Sequence, residues 1–161
     1  MSEQLVSNEQ DSLKLDNQLC FLLYTASRKM TSAYRPLLNE LGLTYPQYLV
    51  MLVLWEYFLG EGTSKQGLKV SVISNKLQLD NGTLTPLLKR LEAQGLLTRN
   101  RDKEDERVVR IGLTPSGTAL RSIAIKVPET MLCNSGLSAN QFSEIYSELK
   151  TVLNKIPGML C

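Results

Sequence analysis

"DNGTLTPLLKRLEAQGLLTRNRDKEDERVVRIGLTPSG", residues 80–117, decides how the rest of the chain is read. Asp80, Asn81 and Gly82 form a turn that can cap a helix. Leu84, Leu87, Leu88 and Leu91 then make one apolar stripe at helical spacing. Thr83, Thr85, Pro86, Lys89 and Arg90 flank it on the exposed side, and Gly95 ends the helix. Leu96 to Arg99 and Val108 to Leu113 are short extended runs. They bracket "NRDKEDER", a highly charged tip, which is the pattern of a β-hairpin. Just upstream, "LKVSVISNKLQL" gives a short extended start and a short helix carrying Val70, Ile73 and Leu77. Two short helices joined by a tight turn and followed by a charged hairpin describe a winged helix-turn-helix. The second helix of that motif fits the major groove and the hairpin reaches the minor groove.

Such binding needs small polar and cationic side chains on the outer helix face, which Thr83, Thr85, Lys89 and Arg90 supply. It also needs cations near phosphates, for which Arg99, Arg101, Lys103, Arg107 and Arg110 are available. The hairpin carries Asp102, Glu104, Asp105 and Glu106 as well, so some of these cations pair internally. Asp105 is placed to orient Arg107. The plainer reading is an ordinary core stripe beside an ordinary solvated turn, and pattern alone leaves it open.

The flanks are helical. Leu13 to Leu41 reads as one long helix with Pro36 kinking or breaking it and Gly42 stopping it. Thr44 can cap the next helix, Pro46 suits its first turn, and Pro46 to Phe58 is mostly apolar. Gly60 to Gly67, "GEGTSKQG", reads as a loop. Beyond the hairpin, Thr114 and Pro115 start a helix that Pro128 bends or interrupts. A last amphipathic helix runs from about Ser138 to Ile156, with Phe142, Ile145, Leu149, Val152 and Leu153 on one face. The outer helices carry more apolar surface than a small winged domain covers, and a helical dimer interface would bury it. The fold class expected is mainly α with a small β-hairpin wing.

Composition limits the chemistry. The 161 residues favour one domain with a core that needs no disulfide or metal. No apolar run reaches a membrane span, and the polar start "MSEQLVSNEQDS" has no signal-peptide layout, so the expected compartment is cytoplasmic. There is no histidine, which removes imidazole bases and histidine metal ligands. Cys20, Cys133 and Cys161 are too few for a disulfide framework and too far apart to suggest zinc. No cofactor is expected. A net charge of +2 argues neither for nor against nucleic acid.

Cys20 sits in the greasy run "LDNQLCFLLY", among Leu19, Phe21, Leu22 and Leu23. A cysteine there is commonly a small buried hydrophobe. A reactive thiolate there needs support against desolvation. The start of a helix gives some, and Tyr24, one turn on and on the same face, offers a hydroxyl. Both readings stand on these residues alone.

The segment "LTPLLKRLEAQGLLTRNRDKEDERVVRIGLTPSG" resembles the recognition helix and wing of the MarR family of bacterial repressors, whose wings carry the D-x-R motif found here as Asp105-Glu106-Arg107. "LDNQLCFLLYTASRKMTSAYRPLLNELGLTYPQYLVMLVLWE" resembles the OhrR branch of that family, which senses organic hydroperoxides. The likeness is strong from about Leu13 to Gly117 and weaker over the C-terminal helices, and the Gly60–Gly67 loop is longer than in that family. It implies one MarR-type domain over 1–161, with 46–113 as the winged helix-turn-helix and 13–45 and 114–161 mainly for dimerisation. It implies a homodimer on double-stranded operator DNA with an inverted repeat. It implies that Cys20 is oxidised to a sulfenic acid, and that Tyr34 and Tyr45 of the other subunit support its thiolate beside Tyr24. Cys133 falls where some members carry a resolving cysteine. The alternatives are a MarR-type repressor released by a small aromatic ligand, with Cys20 silent, and a thiol peroxidase. Against the enzyme, no cysteine has a peroxiredoxin-like P-x-x-x-T-x-x-C context.

Overall fold

The computed structural model describes residues 12–59 and 67–156. The chain falls into two compact units, Met1–Ala124 and Ile125–Cys161, so the division comes after the helix that follows the wing.

In the first unit the long helix begins later than its apolar spacing suggests. Leu15–Asn17 form a separate 3-10 turn, and helix α1 is Leu19–Glu40. The cause is Gln18, which is extended (φ −88°, ψ 109°) and turns its side-chain amide back onto the Lys14 carbonyl at 3.2 Å. The chain stays helical through Pro36 and stops where glycine stands. Gly42 is left-handed (φ +65°), the Gly42 N–H donates to the Asn39 carbonyl at 3.1 Å, and the Leu43 N–H donates to the Leu38 carbonyl at 3.0 Å. These are the two bonds of a Schellman cap, and the buried pair Leu38 and Leu43 provides its apolar contact.

Helix α2, Tyr45–Leu59, is the centre of the unit. Tyr48, Val50, Met51, Val53, Leu54 and Trp55 are all buried. Apolar residues all round a helix are what an interior helix requires. Its start is fixed by Gln47, whose side-chain oxygen accepts from both the N–H (2.8 Å) and the hydroxyl (2.9 Å) of Thr44. The buried indole of Trp55 donates to the Gly117 carbonyl at 2.8 Å.

Strand β1 (Leu68–Lys69) leads into α3 (Val70–Leu77) and α4 (Asn81–Ala93). The turn between the helices uses Gln78 in the left-handed region (φ +53°), with the Ser74 hydroxyl donating to the Leu79 carbonyl at 2.6 Å. Ile73 from α3 and Leu84, Leu88 and Leu91 from α4 are buried. Leu87 is only half-buried because the 3.6 period carries it off that axis. β2 (Leu97–Arg101) and β3 (Val109–Leu113) form the expected antiparallel hairpin, Leu97 facing Leu113 and Arg101 facing Val109. The extended start at Leu68 becomes a third strand, giving the order β1-β3-β2.

Helix α5 is Pro115–Ala124. The Thr114 hydroxyl accepts from the Gly117 N–H at 3.0 Å and donates to the Gly95 carbonyl at 2.7 Å, which ties the start of α5 to the end of α4. Gly117 is buried, and a Cβ there would lie 2.0 Å from the Leu96 carbonyl oxygen. Gly117→Ala is therefore expected to cost roughly 3 kcal/mol, the upper end for overpacking. Urea unfolding followed by circular dichroism checks this, with the midpoint shifted and the slope unchanged.

The second unit holds α6 (Lys126–Ser135) and α7 (Ala139–Lys155). Pro128 lies in the first turn of α6, where the missing N–H has no intrahelical acceptor to lose. The expected interruption thus appears as a fresh helix start. Ser138 and Gln141 close a full capping box on α7. The apolar face of α7, with Phe142, Ile145, Leu149 and Leu153, is exposed in the single chain.

Candidate nucleic-acid interface and thiol site

Asp80 opens α4. Its carboxylate accepts from the Thr83 N–H at 2.9 Å and from the Thr83 hydroxyl at 2.7 Å, and these bonds hold it below the usual carboxylate range. Thr83 is therefore engaged at the cap, and Gly82 belongs there because a Cβ would meet the Asp80 carboxylate at 2.9 Å. Pro86, Lys89 and Arg90 stand on the exposed face, opposite the buried stripe, while Thr85 is half-buried at its edge. Among the described residues, neither Lys89 nor Arg90 makes an ion pair.

The wing is organised by Asp102, which the sequence did not single out for that task. Its carboxylate accepts from the Glu104 N–H (2.9 Å), the Asp105 N–H (3.2 Å) and the Arg110 guanidinium. Arg110 also donates to the Gly67 carbonyl at 3.2 Å, reaching the residue before β1. Asp105 does hold Arg107, through the backbone: its carboxylate accepts the Arg107 N–H at 3.0 Å. Arg99 is drawn inward, with its guanidinium 3.5 Å from Glu92 and its N–H donating to the same carboxylate at 3.1 Å. Arg101, Lys103 and Arg107 remain exposed, with no ion pair among the described residues. Only the hairpin register could have revealed Asp102 with Arg110, since the two lie on opposite arms.

Its hydrogen bonds, the Arg110 guanidinium first, hold the Asp102 carboxyl down at about 2. A carboxylate depressed below its unfolded value contributes stability that is present above pH 4 or so and is lost as pH falls toward the folded value. The wing is thus expected to stay ordered through the neutral range and to loosen between about pH 4 and pH 2. Asp102→Asn is expected to loosen it already at neutral pH. Amide hydrogen exchange across residues 97–113 reads both effects.

Cys20 is the second residue of α1 and is exposed. Leu19, Phe21 and Leu22 are exposed around it. The greasy run is therefore an outer surface of one chain, and the reading of Cys20 as a core residue does not hold within it. Tyr24 is also exposed, and its hydroxyl accepts from the Arg28 guanidinium at 3.1 Å. Tyr34 and Tyr45 come together with ring centroids 5.0 Å apart, and Tyr48 joins them at 6.1 Å from Tyr34. Burial, with Tyr45 adjacent, pushes the Tyr34 hydroxyl up. Burial beside Tyr34 and Tyr45 takes Tyr48 to about 12. Both phenols stay protonated at neutral pH and so remain donors. Tyr34 lies about 21 Å along the α1 axis from Cys20, so one chain does not bring its own thiol to its own Tyr34–Tyr45 pair.

Cys133 is exposed near the end of α6, and Cys161 lies outside the described residues, as do residues 60–66 of the glycine-rich loop. Among the described residues there is no cluster of three or more metal-ligating side chains, and no helix is long and apolar enough to cross a membrane.

The pattern of the SarA/Rot transcriptional regulator family matches residues 32–122. The organic hydroperoxide resistance transcriptional regulator of Bacillus subtilis (strain 168) is 47% identical over 151 residues, which cover 94% of this chain and 97% of that protein. Among solved structures, reduced AbfR bound to DNA is 33% identical with a TM-score of 0.70, covering 91% of this chain and 97% of that one. AbfR comes from Staphylococcus epidermidis. A disulfide-formed AbfR is 35% identical with a TM-score of 0.58, covering 89% of this chain and 96% of that one.

Proposed function

We propose that this chain, which belongs to the MarR/SarA-type family of winged-helix transcriptional regulators, is a redox-sensing repressor that leaves its operator when an organic hydroperoxide oxidises Cys20. The observation that carries the reading is the pairing, within one unit, of an outward recognition helix and an exposed thiol at an apolar helix start.

On the DNA side, Pro86, Lys89 and Arg90 of α4 meet the major groove, with Thr83 and Thr85 at its edges. Arg101, Lys103 and Arg107 of the wing meet phosphates and the minor groove. Arg99, already held by Glu92, contributes by fixing the root of the wing to α4. The exposed apolar residues of α1 and α7 are covered by a second copy of the chain. The dimer reads an inverted repeat with half-sites about one helical turn apart. Each subunit's Cys20 meets Tyr34 and Tyr45 of the other, so the thiol site is complete only in the dimer. The protein works in the cytoplasm, where thiols are kept reduced.

The test is a gel shift on the DNA upstream of the chain's own gene, with and without cumene hydroperoxide. Retention without peroxide and release with it support the reading. Retention in both lanes, or release by a small aromatic acid alone, overturns it. Binding is also expected to weaken steeply with salt, because each phosphate contact releases counterions. Arg107→Ala is expected to cost about tenfold or more in affinity, since a hairpin arginine in a narrow minor groove reads potential as well as charge. Fluorescence anisotropy on the operator measures it, and a folded dimer with unchanged affinity would remove Arg107 from the interface.

A further inference from the structure

We propose that Arg28 is a positioning residue for the peroxide reaction of Cys20, acting through Tyr24. The inference rests on the sensing role of Cys20 given above. Cys20, Tyr24 and Arg28 follow one another at four-residue spacing, so they line one stripe of α1. Helical side chains lean toward the N-terminus, which is the direction of Cys20 from Tyr24, and in the single chain the Tyr24 hydroxyl is bonded to Arg28 rather than to the thiol. The Arg28 guanidinium engages the Tyr24 side chain twice over. It donates to the Tyr24 oxygen at 3.1 Å, and its carbon sits 5.4 Å from the ring centroid. No carboxylate among the described residues pairs with Arg28, so its charge is not neutralised elsewhere.

The consequence is electronic as well as geometric. A phenol oxygen that accepts from a cation becomes a stronger donor of its own hydrogen. With Arg28 occupying the oxygen from the C-terminal side, the Tyr24 O–H is free to point to the N-terminal side, toward the Cys20 sulfur. Tyr24 is otherwise 57% exposed, and among the described residues no second hydrogen bond fixes its hydroxyl. In the reaction the Cys20 thiolate attacks the distal oxygen of R–O–O–H. The S–O bond forms and the O–O bond breaks. The sulfur loses two electrons and becomes a sulfenic acid, and the alkoxide takes a proton from water and leaves as the alcohol. Tyr24 and Arg28 act before the bond changes, by holding the reacting sulfur in place.

The experiment is a double-mutant cycle on the full-length reduced protein, with cumene hydroperoxide as the probe and sulfenic acid formation as the readout. Arg28→Gln is expected to slow oxidation about tenfold, the scale of one charge-assisted hydrogen bond. Arg28→Lys recovers part of the rate, because it restores the cation and not the planar fork. Tyr24→Phe slows the reaction by a similar factor, and adding Arg28→Gln to it costs nothing more. Operator affinity of reduced Arg28→Gln stays at the wild-type value. An unchanged rate in Arg28→Gln overturns the proposal, and so does a double variant whose loss is the product of the two single losses. A wild type that itself fails to react at Cys20 would overturn the sensing role instead, which keeps the two failures distinct.

Discussion

Cys20→Ser is expected to bind operator DNA as tightly as the wild type and to go on holding it in an excess of organic hydroperoxide. Serine keeps the size of the side chain and loses the thiolate, which is the species that reacts. The site tolerates the change because Cys20 is exposed at the second position of α1, where no core contact is lost. The recognition helix and wing are built from α4, β2 and β3, and the substitution leaves their caps and pairings intact. The effect is therefore a clean separation, with full loss of the peroxide response and no loss of affinity. Tyr34→Phe and Tyr45→Phe are expected to fall between the extremes and respond slowly, each removing one of the donors proposed for the partner's thiolate. The measurement is operator anisotropy followed through a peroxide titration. Release by Cys20→Ser at the wild-type rate would place the sensor at another residue.

The DNA-binding half of the molecule was legible because its sequence carries strong local signals. Asp80 caps α4, Gly95 ends it, and Thr114 with Pro115 opens α5, each by a mechanism internal to a few residues. The helix pair and hairpin follow from those stops. What local pattern could not supply were relations between segments. Leu68–Lys69 is too short to register as a strand until β3 is there to pair with it. The bond between Asp102 and Arg110 exists only once the hairpin has its register. Gly117 looks like an ordinary helix residue until the Leu96 carbonyl is placed against it.

Cys20 marks a different limit. An apolar run at helical spacing says that a face is buried and does not say by what. The same pattern serves a chain's own core or a second copy. In α2 Tyr48, Val50, Met51, Val53, Leu54 and Trp55 face the chain's own interior, whereas Leu19, Phe21 and Leu22 of α1 are exposed in the single chain. The start of α1 departs from its apolar spacing for a related reason. Leu13 and Leu15 fit the period, yet Gln18 closes a separate turn through its side-chain amide, a choice that hydrophobic spacing cannot report.

A covalent dimer is the expected product when the wild type meets one equivalent of alkyl hydroperoxide, and Cys133→Ser is expected to abolish it. A sulfenic acid on Cys20 persists, is oxidised further, or condenses with a second thiol and releases water. Cys133 offers an exposed thiol near the end of α6. A bond to Cys20 of the partner requires the two Cα atoms within about 7 Å. The reduced, DNA-binding dimer has no need to meet that distance, so the condensation selects whichever arrangement does. Oxidation is then expected to bias the dimer toward that arrangement, and moving the two wings apart would break their match to half-sites one helical turn apart. Non-reducing electrophoresis separates the possibilities. Wild type and Cys161→Ser should both run as covalent dimers, while Cys133→Ser runs as a monomer holding a sulfenic acid or a small-thiol adduct that mass spectrometry identifies. A dimer that survives in Cys133→Ser and vanishes in Cys161→Ser would transfer the resolving role to the C-terminal cysteine.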